Sequence, residues 1–369
     1  MRKTSRVVLA GLAAAAGLAL LLPVVALALP FWALSGLQRG MRALLAGRRS
    51  ATLPWQEMME FAPEVGWKPR GGLDARAHAP GTPIFHVRTD ADGWRGPQTT
   101  IEDAGIVAYG DSFAFGHGCD EETFFANLPG EPRIKAIGAN GYNMAQGLLW
   151  MRRHAGRLAG KTVVWLVFYG NDLYENLQPN MGRYRMPFVR GAGSAGPREV
   201  VTEHISAEPW TFVSRTPYMD LLAEICTPGP LSDRVFDAAG FLVAEAAGLC
   251  AEVGARLVLA GIPHMDALEP RTRARLVANS PDPSSCDPEL PDRRLREICG
   301  RHGAGFLALG ERLERSDYLE EDVHWSAAGN RKVAAAIREV AGAAEAGAHP
   351  RRGASHAEGA RGGVRAASL

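Results

Sequence analysis

Short apolar runs alternate with longer amphipathic stretches from residue 106 onward. Five runs rich in β-branched and aliphatic side chains predict buried strands, at residues 106–109, 134–137, 162–169, 256–262 and 305–309. Three stretches with helical spacing of apolar residues follow some of these runs, at residues 144–158, 237–253 and 327–341. Buried strands that alternate with helices are typical of a parallel sheet covered on both faces. We therefore predict an α/β fold: a three-layer α/β/α sandwich around a mostly parallel, five-stranded sheet.

Segments outside this alternation have a different composition. The stretch 85–89 alternates apolar and polar residues before a turn signal at 90–93, which predicts a small β-hairpin region ahead of the sheet. The C-terminal tail is rich in Ala, Gly and Arg, a composition typical of disorder. The predicted organisation is an N-terminal segment 1–36, a juxtamembrane and hairpin region 37–100, a domain 101–343 with an insertion at about 175–235, and a disordered tail 344–369.

The N-terminal segment is long and apolar. Residues 7–34 carry no charge and are mostly Ala, Leu and Val, whereas a secretory apolar region needs only up to about 15 residues and a bilayer span about 20. We predict an uncleaved signal anchor, a transmembrane helix in the inner membrane. Ala26-Leu27-Ala28 leaves a cleaved signal peptide as the alternative. Basic residues flank the segment on both sides, so its signal-like start is what favours an extracytoplasmic main domain.

Composition limits the partners of the chain. With 369 residues and 46% hydrophobic residues the chain can bury one substantial core, and a net charge of +1 gives no electrostatic basis for binding nucleic acid. Residues 155–162 nearly match a phosphate-binding loop, but Ala155 replaces its first glycine. The stretch also lies between a predicted helix and a predicted strand, the reverse of the required order. We predict no nucleotide partner.

The five cysteines show no spacing typical of a metal site, and we predict neither a metal nor another cofactor. Two interpretations of the cysteines stay open. In an oxidising compartment, Cys286 and Cys299 would close a Pro-rich segment with a disulfide. Alternatively, all five are simple thiols.

Polar or small residues follow the predicted strands where each strand ends. Ser112 closes the first strand within Gly-Asp-Ser, Gly141 follows the second, and Asn171 lies in Gly-Asn-Asp after the third. His324 stands in Asp-Val-His-Trp, just before the last predicted helix. Because ligands bind at the carboxyl ends of parallel strands, these residues are expected to converge on one edge. Ordinary alternatives are a helix N-cap for Ser112 and a turn glycine for Gly141. For Asn171 the alternative is a loop or cap residue, and for His324 it is a surface histidine.

This order of motifs resembles the SGNH (GDSL-type) hydrolase family, over about residues 106–342. The region 61–97, with its Val-Gly-Trp and Asp-Gly-Trp-Arg motifs, also resembles the segment ahead of the catalytic domain in membrane-associated bacterial members. The resemblance implies a flavodoxin-like sandwich and ester hydrolysis by a serine nucleophile, Ser112, with His324 as base. It further implies an oxyanion hole formed by the backbone N–H groups of Ser112 and Gly141 and the side-chain amide of Asn171.

The acidic member of the implied triad departs from the common family spacing. Many members place it three residues before the histidine, which is Glu321 here, whereas Asp322 lies two residues before. The latter spacing also occurs among relatives that act in exopolysaccharide acetylation. We predict that Asp322 orients His324, with Glu321 as the alternative.

The combined prediction is a membrane-anchored bacterial serine hydrolase that cleaves acyl or O-acetyl esters. Acetylated polysaccharide of the cell envelope is one candidate substrate. An O-acetyltransferase with the same triad and a non-catalytic carbohydrate-binding subunit are the alternatives. Three neighbours of the site keep two interpretations each: His117 as a loop or pocket residue, and His264 and Trp325 as packing or substrate-contacting residues.

Overall fold

The structure is a computed structural model that describes residues 52–181, 184–208 and 218–347. The predicted signal anchor, residues 1–36, lies outside the described residues, as do residues 37–51 and 348–369. Within the described ranges, no helix combines the length and the apolar character that crossing a membrane requires.

Residues 52–88 form two small sheets ahead of the main fold. Their strands are β1 (Thr52–Pro54), β2 (Met59–Ala62), β3 (Gly66–Pro69), β4 (Asp74–His78) and β5 (Phe85–Arg88). β2 and β3 form an antiparallel hairpin, while β4 pairs antiparallel with β5 and parallel with β1. In β5 the predicted alternation is present, because Phe85 and Val87 are buried and the residues between and after them are not.

A five-stranded parallel sheet forms the centre of the described chain. The remaining strands are β6 (Ile106–Gly110), β7 (Ile134–Gly138), β8 (Thr162–Phe168), β9 (Asn180–Met181), β10 (Tyr184–Arg185), β11 (Phe188–Arg190), β12 (Glu199–Val201), β13 (Arg256–Ile262) and β14 (Gly305–Ala308). The central sheet has the order β14-β13-β8-β6-β7, and every pair in it is parallel. Each of its strands lies within one residue of a predicted boundary, which confirms the α/β prediction.

Helices cover both faces of this sheet. They are α1 (Ser112–Phe115), α2 (Met144–His154), α3 (Asp172–Glu175), α4 (Tyr218–Ile225), α5 (Pro230–Val253), α6 (Met265–Leu268), α7 (Pro270–Ala278), α8 (Leu290–Arg301) and α9 (Ala327–Gly347). The boundaries predicted near residues 235 and 344 fall inside α5 and α9. Pro230 fits the first turn of a helix and starts α5 early, and the Ala-rich sequence after residue 341 continues α9.

Strand side chains divide strictly between the two faces. In β6, Val107 and Tyr109 belong to the buried cluster that includes side chains of α2, α5 and α8, whereas Ile106 and Ala108 belong to the cluster that includes side chains of α1 and α9. This is the period of two expected of a strand that is buried on both sides. The architecture is therefore the predicted three-layer sandwich.

The strand order leaves a crevice at one edge of the sheet. β6 lies between β7 and β8, so the chain runs from β6 outward to β7 and then back across β6 to β8. In open α/β sheets, ligands bind outside the carboxyl ends of the strands where the order reverses in this way. Residues 111–112 and 169–172 follow β6 and β8, so both lie at this crevice.

The N-terminal sheets are fastened to the loop that follows β7. Trp67 Nε1 donates to Asn140 O at 3.0 Å, and the Tyr142 hydroxyl donates to Trp67 O at 2.5 Å. Gln146 Nε2 donates to Val65 O at 2.7 Å. All three bonds are buried, so the small sheets fix the position of the Gly141 turn.

The predicted insertion contains two short hairpins, β9 with β10 and β11 with β12, and the helix α4. Residues 182–183 and 209–217 within it lie outside the described residues. Asn143 Nδ2 donates to Glu175 O at 3.0 Å and to Pro187 O at 2.8 Å, which ties the start of this segment to α2. The segment therefore packs beside the crevice.

The five cysteines are free thiols, so the disulfide interpretation for Cys286 and Cys299 is wrong. Cys299 faces the core from α8. Cys286 lies in a loop that is attached to Cys226, because the backbone N–H of Asp287 donates to Cys226 O at 2.8 Å.

The stretch 155–162 begins with a 3₁₀ turn and links α2 to β8. Its helix-to-strand order is the one that the sequence predicts.

A buried arginine holds the loop between α1 and residue 121. Arg95 is 2% exposed, and its Nε donates to Glu121 Oε1 at 2.8 Å. Its other nitrogens donate to backbone carbonyls of His86, Phe115, Gly116 and Cys119. This one side chain therefore joins β5 to the loop that carries His117.

Arg95→Met is expected to destabilise the fold strongly, because the Glu121 carboxylate would stay buried without its positively charged partner and four backbone carbonyls would lose a donor. We expect the free energy of unfolding to fall by about 3–5 kcal/mol, measured by urea denaturation. Arg312→Met, which removes an exposed ion pair with Glu339, is the matched control and should cost less than about 1 kcal/mol. Equal losses for the two variants would contradict the role of Arg95.

Candidate active site

Ser112 lies directly after the carboxyl end of β6, at the crevice. Asp111 caps α1, because its Oδ1 accepts from the backbone N–H of Phe113 at 2.9 Å. The interpretation of Ser112 as the N-cap is therefore wrong. A half-buried Ser112 hydroxyl instead faces a cavity at the sheet edge.

His324 reaches the same cavity from the loop ahead of α9. Its Nε2 lies 2.6 Å from Ser112 Oγ. Its backbone N–H donates to Asp322 Oδ1 at 2.9 Å, and its Nδ1 also hydrogen-bonds to that oxygen. The Phe113 ring supports the imidazole with a centroid distance of 4.8 Å. Serine hydroxyl, imidazole and carboxylate thus form one line of hydrogen bonds.

The carboxylate in this line belongs to Asp322, whereas Glu321 is exposed. Burial alone raises the pKa of the Asp322 carboxyl, but hydrogen bonds and charge from His324 outweigh it and hold that pKa below its usual range. Asp322 is therefore ionised at neutral pH. An ionised carboxylate on Nδ1 holds the imidazole in the tautomer whose Nε2 can accept a proton.

Gly141 and Asn171 border the cavity beside Ser112. Gly141 has a φ of +75°, so the turn-glycine interpretation describes its backbone correctly. Asn171 Nδ2 donates to Glu175 Oε2 at 2.7 Å, and Glu175 N donates back to Asn171 O at 2.8 Å. Since a side-chain amide nitrogen carries two hydrogens, Glu175 engages one and leaves the other for a ligand.

The cavity has a volume of about 200 Å³. It is bordered by Trp55, Ser112, His117, Asn140, Gly141, Phe168, Gly170, Asn171, Glu175, Met181, His264, Val323 and His324. The structure thus brings together four of the five site residues predicted from sequence, with Asp322 directly behind His324. Sequence reasoning missed Trp55, from the 3₁₀ turn between β1 and β2, and Glu175 and Met181, from the segment after β8.

His117 is a pocket residue, 7% exposed, rather than a free loop residue. Its Nδ1 lies 2.7 Å from Asn140 Nδ2, and its ring centroid is 4.6 Å from that of His324. Burial lowers the pKa of His117 to about 3, and charge on His324 acts in the same direction. His117 is therefore neutral at pH 7 and presents an uncharged ring to the imidazole of His324.

His264 and Trp325, the other two residues with two interpretations from the sequence, differ in their surroundings. His264 borders the cavity and also caps α6, because its Nδ1 accepts from Asp266 N at 3.2 Å. Trp325 is buried in the core against Phe113, with ring centroids 4.6 Å apart. Packing is thus the role of Trp325, whereas His264 caps a helix and also borders the cavity.

A metal-ligand set overlaps this site. Across the described ranges, His117, Asp322 and His324 form the one group of three whose ligand atoms lie within 4.8 Å of one another. Both nitrogens of His324 already hydrogen-bond, to Ser112 and to Asp322. A metal would have to replace one of these bonds, so the arrangement fits proton transfer better than metal ligation.

Comparison with known proteins gives partial structural matches. No family model and no curated protein matches the chain. A carbohydrate acetylesterase family member from Sinorhizobium meliloti matches at 14% identity and a TM-score of 0.37, over 64% of this chain and 95% of that one. TesA matches at 13% identity and a TM-score of 0.36, over 63% of this chain and 94% of that one. The M. smegmatis aryl esterase matches at 12% identity and a TM-score of 0.35, over 64% of this chain and 98% of that one. Similarity at this level carries no information about the reaction or the substrate of this chain.

Gly141→Ala is expected to impair the site. A Cβ at this position would lie 1.7 Å from Met181 Cε, so either Met181 or the turn must move. A shift of the turn would move the Gly141 backbone N–H relative to Ser112, and we expect the rate of p-nitrophenyl acetate turnover to fall about tenfold or more.

Gly160→Ala is the matched control, because Gly160 has a similar φ of +71° and nothing within 4 Å of its added Cβ. It should lose about 1–2 kcal/mol of stability from the left-handed backbone but keep its turnover rate. Equal turnover in the two variants would show that the position of the Gly141 turn is unimportant.

Proposed function

We propose that the chain is an SGNH-type serine hydrolase that cleaves carboxylic esters. The observation that carries this proposal is the line of hydrogen bonds from Ser112 Oγ through His324 to Asp322, at a cavity that also contains Gly141 and Asn171. A nucleophile, a base, an orienting acid and neutral hydrogen-bond donors at one cavity are what acyl transfer requires.

In the acylation step, Ser112 Oγ attacks the carbonyl carbon of the ester while its proton passes to His324 Nε2. The carbonyl oxygen becomes an oxyanion, which the N–H groups of Ser112 and Gly141 and the free N–H of Asn171 stabilise. His324 then gives its proton to the departing alkoxide oxygen, and the C–O bond to the alcohol breaks. Asp322 stabilises the imidazolium in between.

Deacylation repeats these steps with a second hydroxyl compound. Water, activated by His324, yields the free acid, whereas a sugar hydroxyl in the same place yields a new ester. A cavity of about 200 Å³ is smaller than the ~300–1,000 Å³ typical of ligand pockets, which supports a small acyl group such as acetyl. An O-acetyl ester on an envelope polysaccharide fits this requirement.

Turnover of p-nitrophenyl acetate and labelling by a fluorophosphonate test the proposal. Ser112→Ala is expected to abolish labelling and to lower kcat by about 10⁴-fold or more, because no nucleophile remains. Wild-type protein that shows neither turnover nor labelling would contradict the hydrolase and favour the non-catalytic carbohydrate-binding alternative.

The two candidate acids separate by substitution. Asp322→Ala is expected to lower kcat by about 10³–10⁴-fold, because His324 loses its orienting carboxylate. Glu321→Ala is the adjacent matched control and should change kcat by less than about threefold, since its side chain is exposed. The reverse order of effects would assign the role to Glu321.

Product analysis distinguishes hydrolysis from transfer. A labelled acetyl donor is incubated with and without oligosaccharide acceptors, and the label is followed into free acetate or into acetylated sugar. Free acetate at an unchanged rate in the presence of acceptor identifies a hydrolase. Acceptor-dependent transfer identifies an O-acetyltransferase with the same triad.

We also propose that residues 1–36 anchor the enzyme in the inner membrane, with its catalytic domain outside the cytoplasm. The uncharged sequence of residues 7–34 supports this location. Fractionation of cells that express the full chain, followed by protease treatment of spheroplasts, tests it. Release of the enzyme in soluble form, or its protection from protease, would contradict the proposal.

A further inference from the structure

Two buried carboxyl groups lie directly beneath the proposed nucleophile. Asp111 precedes Ser112 after β6 and is 1% exposed, and Asp172 follows Asn171 after β8 and is 2% exposed. Their side chains lie close enough across the topological switch between these strands for the Asp111 carboxyl to raise the pKa of Asp172. Neither is the acid that contacts His324 Nδ1, so the mechanism above gives them no role.

Their other contacts account for three of the four carboxyl oxygens. Asp111 Oδ1 accepts from Phe113 N at 2.9 Å, and Asp111 Oδ2 lies 3.1 Å from Ser112 Oγ. Asp172 Oδ2 accepts from Phe168 N at 2.9 Å. Asp172 Oδ1 is buried and meets no hydrogen-bond donor among the described residues.

Two ionised carboxylates this close repel each other and cannot form a hydrogen bond, because both are acceptors only. A proton on Asp172 Oδ1 converts this orphaned oxygen into a donor and removes one of two buried like charges. Burial raises the pKa of Asp172 well above its usual range, and the neighbouring charge of Asp111 raises it further. Geometry and electrostatics thus place the proton on the same residue.

We propose that Asp111 and Asp172 share one proton, held on Asp172, and that this proton keeps Asp111 from competing with His324 for the Ser112 hydroxyl proton. The pair would act as positioning residues for the nucleophile. Its effect on Ser112 rests on the proposed function, whereas the sharing of the proton does not.

The distances around Ser112 explain why such a device matters. Ser112 Oγ lies 2.6 Å from His324 Nε2 and 3.1 Å from Asp111 Oδ2, so two acceptors are available to one proton. A fully charged, buried Asp111 would be the stronger acceptor and would turn the hydroxyl away from the base. The proton on Asp172 makes Asp111 a weaker acceptor. The shorter hydrogen bond from Ser112 Oγ to His324 Nε2 is then favoured over the bond to Asp111.

Infrared spectroscopy of protein labelled with ¹³C-aspartate tests the shared proton directly. We expect a C=O stretch of a neutral carboxylic acid at pH 7 that Asp172→Asn removes. Asp111→Asn should remove it too, because Asp172 would then receive a hydrogen bond from an amide and ionise. Asp317→Asn is the control: Asp317 is also 2% exposed but binds Lys332 Nζ at 2.7 Å, so its loss should leave the band unchanged. A band that persists in Asp172→Asn would overturn the proposal.

Kinetics test the effect on Ser112. The amide of Asp172→Asn can still donate to Asp111, so kcat should stay within about threefold of the wild type. Asp172→Ala removes the donor, and kcat should fall about tenfold or more in folded protein. A folded Asp172→Asn that loses as much activity as Asp172→Ala would overturn the positioning role. If the wild type turns over no ester, the proposed function fails, while the infrared band still decides whether the proton is shared.

Discussion

The hydrogen bond between Ser112 and His324 joins residues that are 212 positions apart, and the candidate site depends on it. It forms only when β6 lies inside the sheet and α9 packs on the adjoining face. Asp111 fixes one end by capping α1, and Asp322 fixes the other by binding both the backbone and the ring of His324. The site is thus a product of the whole sandwich rather than of one motif.

Much of this arrangement follows from the sequence, because parallel strands buried on both faces are continuous apolar runs. These apolar runs end abruptly at small and polar residues. Ser112 and Asn171 could therefore be assigned to the same edge of the sheet from the sequence alone. Helix ends were less predictable. Proline at a first turn and alanine in a last turn extend α5 and α9 by local propensity, without any change in the core-facing pattern.

The walls of the cavity could not be predicted, because they come from segments whose position depends on tertiary contacts. Trp55 borders the site from the turn ahead of the β2–β3 hairpin, and this hairpin is bound on both sides of Gly141 through Trp67. His117 follows a glycine and looks like loop sequence, and Arg95, far away in the chain, buries it by gathering the surrounding carbonyls. No periodicity in the local sequence records such a long-range contact.

Electrostatics sets the final constraint on this site, because four carboxyl groups lie at the cavity or next to its residues. Asp322 is paired with His324, Glu175 accepts from the Asn171 amide, and Asp111 raises the pKa of the nearby Asp172. The proposed oxyanion donors are neutral N–H groups, whose fixed dipoles would have to stabilise a new negative charge close to these acids. A site of this composition works only if the nearby acids are neutralised or engaged by hydrogen bonds. The carboxyl pair beneath Ser112 therefore belongs to the same electrostatic problem as the oxyanion itself.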